Sequence, residues 1–226
     1  KKDWAAISSL LLWKGIETEK VLKKVKIPEI VDNQAPKALD DKMINKIIRE
    51  EYSKAARYGN WRDYLIVILL AHFGLRIEEV VQLDLENVNM TERKGQLTVR
   101  GKGNKTRVIP FPKVDENPKV REAFTLYLEQ RLKMKTDLDA LFISRLGFRL
   151  SKRAAQNVVD KYGVHCHQFR HSFITKLVDK GMSIPLIMAL TGHTSADTVA
   201  RYSKPTEEKK EKAMATVDYP LYDGDK

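Results

Sequence analysis

Residues 96–110 read Gln96-Leu97-Thr98-Val99-Arg100-Gly101-Lys102-Gly103-Asn104-Lys105-Thr106-Arg107-Val108-Ile109-Pro110. The runs Gln96–Arg100 and Thr106–Pro110 alternate as strands do. Between them lie two glycines and an asparagine, the residues that accept the positive φ of a tight turn. The stretch is a β-hairpin, and the segments on both sides of it are helical in period. Upstream, Asp40 is placed to cap a helix with Met43, Ile44, Ile47 and Ile48 on one face, and Trp61 to Phe73 is a strongly apolar helix stopped by Gly74. Leu75 to Leu83 carries Arg76, Glu78 and Glu79 and leads into a polar connection. Downstream, helical patterns run over about 116–134, 151–161, 168–180, 183–190 and 195–202, with Gly181 and Gly192 at C-terminal cap positions. The fold class that follows is mainly α with a small antiparallel β-sheet.

Working outward, residues 4–13 hold a helix-like apolar stretch that ends near Gly15, and a second short helix is expected at about 18–25. Pro28 and Pro36 bracket a linker, and the main domain starts near Ala38. At 226 residues the chain is long enough for one sizeable domain and a smaller appendage.

The net charge of +11 implies a polyanionic partner, nucleic acid first and an anionic membrane surface second. The distribution sharpens this: Arg93 to Arg107 contains six basic residues and no acid, and Arg145 to Lys176 contains seven against the single acid Asp160. No apolar stretch has the length of a membrane span, and no signal-peptide core follows Lys1-Lys2-Asp3-Trp4, so a cytoplasmic location is expected. The one cysteine, Cys166, cannot form an internal disulfide. It lies between His165 and His167, but three consecutive side chains diverge too far to close on one ion, so no metal site is expected there.

Six polar residues stand in settings that packing alone does not explain. Arg76 follows the buried helix, Lys102 sits at the hairpin tip, His167 and Arg170 form a His-x-x-Arg pair, His193 follows Gly192, and Tyr202 lies nine residues later. Singly each has a bland reading: Arg76 and Glu79 make an i,i+3 ion pair, Gly-Lys-Gly is a turn, and a tyrosine near a helix end packs on a core. Jointly and in this order they do not. The segments Gly74–Val80, Gly101–Pro110, His167–Phe173 and Thr191–Ser195 with Tyr202 resemble the successive signature boxes of the tyrosine recombinase family, which includes phage integrases and Xer-type recombinases. The resemblance spans roughly residues 36 to 205. Departures are mild: Gln168-Phe169 replaces the commoner Asp-Leu, and Phe73 stands where a small residue is frequent.

The resemblance implies that Arg76, Lys102, His167, Arg170, His193 and Tyr202 are catalytic, Tyr202 as nucleophile, with Glu79 the partner of an arginine. Lys105 is the alternative to Lys102, which is favoured because it sits between the two glycines. Arg100, Lys105 and Arg107 on the hairpin, and Arg145, Arg149, Lys152 and Arg153 further on, are expected to contact DNA. The chemistry agrees with these residue types. A tyrosine with a pKa of about 10 is a weak nucleophile at neutral pH and needs cations and a base beside it. Arg76 and Arg170 would clamp the phosphate with fork geometry, Lys102 would protonate the leaving 5′-oxygen, His167 would take the Tyr202 proton or help bind phosphate, and His193 would bond a phosphate oxygen. Side chains supply the positive charge, so no cofactor is expected.

In the family a helical core-binding domain precedes the catalytic domain. By that resemblance residues 1–35 are its last helix plus linker, 36–205 the catalytic domain, and 206–226 a tail that docks on a neighbouring subunit, the chain being part of a longer protein. The expected partners are a double-stranded DNA attachment or recombination site and further copies of the chain, a homotetramer on DNA and a monomer alone. Tyr219 and Tyr222 lack a preceding Gly-His box and rank below Tyr202. Two other functions fit the same residues: DNA relaxation of the type IB topoisomerase kind, and a catalytically inactive DNA-binding module.

Overall fold

In the computed structural model, residues 9–15, 38–91, 94–113, 115–202, 210–211 and 214–215 are described. The chain divides into two units, Lys1–Gln34 and Ala35–Lys226. In the first, residues 9–13 are helical; the helix expected at 18–25 and the linker from Pro28 to Pro36 lie outside the described residues, as do Tyr219 and Tyr222.

The second unit is organised around one helix. Helix α1, Asp41–Tyr58, starts where the Asp40 side chain accepts a hydrogen bond from the Met43 N–H at 2.7 Å, and ends at Gly59 in the left-handed conformation. Helix α2, Trp61–His72, follows, and every residue from Tyr64 to Leu70 is buried. A helix apolar around its whole circumference must be enclosed on all sides. α2 is surrounded by α1, by α3 (Ile77–Val81), by α4 (Pro118–Leu132), by α5 (Lys152–Asp160) and by α6 (Cys166–Asp179).

The hairpin forms as expected, from β2 (Gly95–Arg100) and β3 (Thr106–Pro110), with Val99 opposite Arg107. Leu97, Val99 and Ile109 turn into the core, the period of two that the sequence shows. Its turn needs left-handed backbone at Gly103 (φ 75°) and Asn104 (φ 59°). A third strand, β1 (Val88–Met90), adds antiparallel to β2, giving the order β1-β2-β3. In the sequence it is part of a polar connection, because three residues are too few to show an alternation.

Two short helices complete the unit: α7 (Ile184–Thr191) and α8 (Ala196–Ala200), the latter shorter than the 195–202 expected. Ile174, Ile187 and Val199 make a second, small core between α6, α7 and α8, and Tyr202 packs on it. Among the described residues no helix is long and apolar enough to cross a membrane.

Candidate active site

A single buried carboxylate organises the site. Glu79, 5% exposed, lies in the first turn of α3 and accepts the Arg76 backbone N–H at 2.9 Å, which caps the helix start. The same carboxylate takes the Arg76 guanidinium at 2.9 Å and a two-pronged contact from Arg107 on β3, at 3.0 and 2.8 Å. Arg170 stands 3.9 Å away. Burial works against the charge on Glu79, but the Arg107 and Arg76 donors and the field of Arg170 outweigh it and hold its pKa below the usual carboxylate range. Three guanidiniums therefore share one carboxylate, and positive charge is left over.

Arg170 is fixed by helix ends. Its Nη1 donates to the Gly74 carbonyl at 2.8 Å and its Nη2 to the Thr191 carbonyl at 2.5 Å. Arg107 Nε donates to the neighbouring Leu190 carbonyl at 2.9 Å. The last carbonyls of a helix have no partner within it, and two arginines satisfy those of α7. Gly74 is held tightly: at φ 58°, a Cβ on it would lie 2.3 Å from the Phe173 ring. That close approach of α6 to the α2–α3 junction brings Arg170 beside Arg76. Burial, then the Arg76 charge, pushes the pKa of Arg170 down to about 10, a sign of repulsion that an anion would relieve.

His193 follows the left-handed cap Gly192. Its Nε2 faces Arg170 Nη2 at 3.4 Å and its Nδ1 lies 2.8 Å from the Thr191 hydroxyl, which itself donates to Ile187 O at 2.6 Å. A guanidinium can only donate, so Nε2 accepts and Nδ1 carries the hydrogen; this network assigns the neutral tautomer. Burial and the charges of Arg170, Arg76 and Arg107 push the His193 pKa down to about 4.

Helix α6 carries the rest. Its start is capped by Gln168, whose side chain accepts the His165 N–H at 2.8 Å, so the departure from the family pattern at this position has a local use. His167 and His171 lie one turn apart on the same face, ring centroids 6.4 Å apart. His167 is exposed, whereas His171 is half-buried, with its Nδ1 in hydrogen-bond contact with the Tyr202 hydroxyl. Burial raises the Tyr202 pKa, with Arg170 and Arg201 pulling the other way. Between the flanking histidines, Cys166 is buried and its thiol is pushed up to about 11.

The structure thus gathers Arg76, Glu79, Arg170 and His193 into one network, with Tyr202 set against His171 on the face of α6 that also carries His167. Lys102 begins the turn between β2 and β3, and its side chain lies outside the described part. The turn borders the network, because a Cβ on Gly101 would lie 3.8 Å from Glu79 Oε1. Arg100, Lys105, Arg145, Lys152 and Arg153 are exposed, as a DNA-facing surface requires, with Lys152 paired to Glu78 and Arg153 to Asp160.

Arg107 departs from the expectation of a DNA contact. It is 10% exposed and bound to Glu79 and Leu190, so it braces the site from beneath. Arg149 is also tied inward, to the carbonyls of Val81 and Leu83 and to Asp84. His171 is not marked by the sequence motifs. Its spacing of four from His167 was the available signal.

The phage integrase family model matches residues 37–209, and that span includes the whole network. The chain belongs to the phage integrase family. Tyrosine recombinase XerA of Pyrococcus horikoshii is 34% identical over 210 residues, which cover 89% of this chain and 67% of that protein. The crystal structure of a XerA recombinase superposes with a TM-score of 0.64 at 26% identity, over 95% of this chain and 75% of the other. The XerH site-specific recombinase in its pre-cleavage complex with difH shares the fold, with a TM-score of 0.65 at 21% identity over 86% of this chain and 58% of the XerH chain. Within the phage integrase family this chain is a catalytic domain of the tyrosine recombinase kind, placed among the site-specific recombinases, and it spans about two thirds of the archaeal relative.

Proposed function

We propose that this integrase-family chain cleaves and rejoins duplex DNA through a 3′-phosphotyrosyl bond on Tyr202, in site-specific recombination. The observation that carries the reading is the excess positive charge of Arg76, Arg107 and Arg170 over Glu79, with Arg170 on the same helix as His171, the hydrogen-bond partner of the Tyr202 hydroxyl. Such an array attracts a phosphate diester and is prepared for the charge that grows on its non-bridging oxygens during attack. Arg76, at 30% exposed, is the arginine that solvent and a phosphate can reach, and Arg170 adds its charge from below. His193 presents Nε2 to the same place. An arriving phosphate would raise its pKa and convert that nitrogen into a donor.

In the cleavage step the Tyr202 oxygen bonds to phosphorus, the bond from phosphorus to the 5′-oxygen breaks, and that oxygen takes a proton, in this proposal from Lys102. The new ester keeps the energy of the phosphodiester, so a released 5′-hydroxyl can reverse the step. Exposed Arg100, Lys105, Arg145, Lys152 and Arg153 would hold the backbone on either side. Assembly as a homotetramer on DNA and a cytoplasmic setting belong to the same proposal, and the lone Cys166 suits a reducing compartment.

The test is covalent capture: wild type forms a denaturation-resistant adduct with nicked duplex DNA in EDTA, and Tyr202→Phe forms none. Adduct persisting in Tyr202→Phe refutes the nucleophile. Arg76→Ala is expected to slow capture about 10²-fold or more. Arg170 is tested as Arg170→Lys, because its ties to Gly74 and Thr191 make an alanine there a folding defect as well.

A further inference from the structure

Three elements meet at the Arg107 guanidinium on β3. Its Nε donates to the Leu190 carbonyl near the end of α7, and its Nη1 and Nη2 donate to the two Glu79 oxygens on α3. Two glycines leave it room. A Cβ on Gly192, the left-handed residue that closes α7, would lie 2.9 Å from Nη1, and one on Gly101 would lie 3.6 Å from the same nitrogen. His193 follows the first of these glycines in the chain, and Lys102 follows the second. All three nitrogens of the group donate inward, and it is 10% exposed, so it has no fork left for a phosphate standing at Arg76.

Among the described residues, the turn that carries Lys102 has little else to hold it. Asn104, Lys105 and Thr106 are exposed, and a Cβ on Gly103 would meet nothing within 4 Å. The Gly101 N–H closes the turn on the Lys105 carbonyl at 2.8 Å, and Arg107 is the second residue of β3 beyond it. A two-stranded ribbon is marginally stable by itself, so the place of its tip is set by what its base is tied to. Leu97, Val99 and Ile109 seat the ribbon on the core. Arg107, paired across the ladder with Val99, ties its end to α3 and α7.

We infer that Arg107 is a positioning residue: it clasps the Lys102 turn to Glu79 and to the end of α7 beside His193, so that the proton for the leaving 5′-oxygen arrives in place. The inference rests on the reading of Tyr202 as nucleophile and Lys102 as proton donor. In cleavage the bond from phosphorus to the 5′-oxygen breaks, and that oxygen takes a proton from the Lys102 ammonium. Arg107 gives up none, because a guanidinium stays protonated. Its part is geometric. A lysine in its place keeps the positive charge but cannot reproduce the fork that spans both Glu79 oxygens and the Leu190 carbonyl. A misplacement of about 1 Å at a reacting group costs about 10²-fold in rate.

The experiment has two arms. In the first, ¹⁵N relaxation is measured on the full chain without DNA, for wild type and Arg107→Lys. The amides of Gly101 and Lys105 are expected to pass from rigid, with an order parameter of about 0.85, to flexible, below about 0.6, while those of α1 keep their values. These order parameters describe the folded state, so a change in global stability does not mimic the effect. Equal values at Gly101 and Lys105 in the two proteins overturn the clasp.

In the second arm the probe is a nicked duplex taken from a random-sequence pool by covalent capture on wild type. It is made twice, with oxygen and with sulfur at the bridging 5′ position of the cleaved phosphate. A thiol has a pKa of about 8.5, so the thiolate departs without a proton donor. Both rates are taken on one preparation, and the folded fraction cancels in their ratio. Arg107→Lys should be slowed about 10²-fold on the oxygen duplex and restored close to wild type on the sulfur duplex, as Lys102→Ala should be. Arg76→Ala should stay slow on both. If Arg107→Lys is equally slow on both duplexes, or cleaves the oxygen duplex like wild type, the inference is wrong. If sulfur does not restore Lys102→Ala, the turn does not supply the proton and the inference falls with that role. If wild type captures neither duplex, the failure belongs to the cleavage reading of Tyr202, and the first arm still decides whether Arg107 holds the turn.

Discussion

Replacing Glu79 by glutamine isolates the charge that the fold was built around. The side chain has the same shape, but one acceptor oxygen becomes an NH₂ facing donors. Glu79 now accepts four N–H groups, from Arg76 N, Arg76 Nη1, Arg107 Nη1 and Arg107 Nη2. In Glu79→Gln, three guanidiniums would sit together with no carboxylate among them. Breaking a buried ion pair by removing one partner costs about 3–5 kcal/mol, out of about 5–15 kcal/mol for a typical domain. For a domain of about 150–250 residues that loss lowers Tm by about 6–20 °C.

The assay is thermal unfolding of wild type and Glu79→Gln at pH 7, repeated down an acid series. Because the folded pKa of Glu79 is depressed, its stabilisation is fully present above the unfolded value and is lost as pH falls through the folded one. The gap between the two proteins must therefore be largest at neutral pH and close in acid. Arg107→Met on top of Glu79→Gln should cost less than the two changes summed, since the second removes a charge that the first orphaned. A Tm drop under about 2 °C at pH 7, or a gap that widens in acid, refutes this account of the site.

Other perturbations test separate parts. Gly74→Ala places a Cβ 2.3 Å from the Phe173 ring at a backbone φ of 58°, so it should destabilise by about 1–3 kcal/mol or more, and Phe173→Leu should recover part of the loss in chemical denaturation. His193 has a folded pKa of about 4, so the unfolded chain takes up a proton below about pH 6.5 that the folded one refuses. Wild-type stability should decline from there towards pH 4, and His193→Gln should flatten that slope in urea titrations. In a separate cluster, Glu51 is 2% exposed and held by Lys54, Lys161 and the Tyr162 hydroxyl. Tyr162→Phe should cost about 1–3 kcal/mol without changing covalent capture on DNA, and a loss of capture there would contradict the separation of the two clusters.

The legible part of the fold was local. Asp40 and Gly192 act where a cap or a left-handed residue must act, and the alternation of Gln96–Arg100 survives as strand β2. Strand β1 was not legible, since three residues carry no period and its pairing with β2 is a contact made in space. The site divides in the same way. Arg76, Arg170, His193 and Tyr202 were marked by their motifs, and the structure places three of them in one network with the fourth beside it. Arg107 looked like one more cation on a basic hairpin. Its direction on β3 is set by the pleat and by α7, which turn it inward to Glu79 and Leu190.

By itself, then, the sequence determined the helix and strand periods, the turn chemistry and the order of the reactive residue types, because these depend on neighbours along the chain. Tertiary structure alone decided which charges meet. Glu79, Arg107 and Arg170 are separated by 28 and 63 positions and converge only because α3, β3 and α6 pack together; likewise His171 and Tyr202, 31 positions apart, touch only because α8 folds back on α6. Partner choice at a buried charge is a matter of distance and desolvation, and neither is written in spacing along the chain.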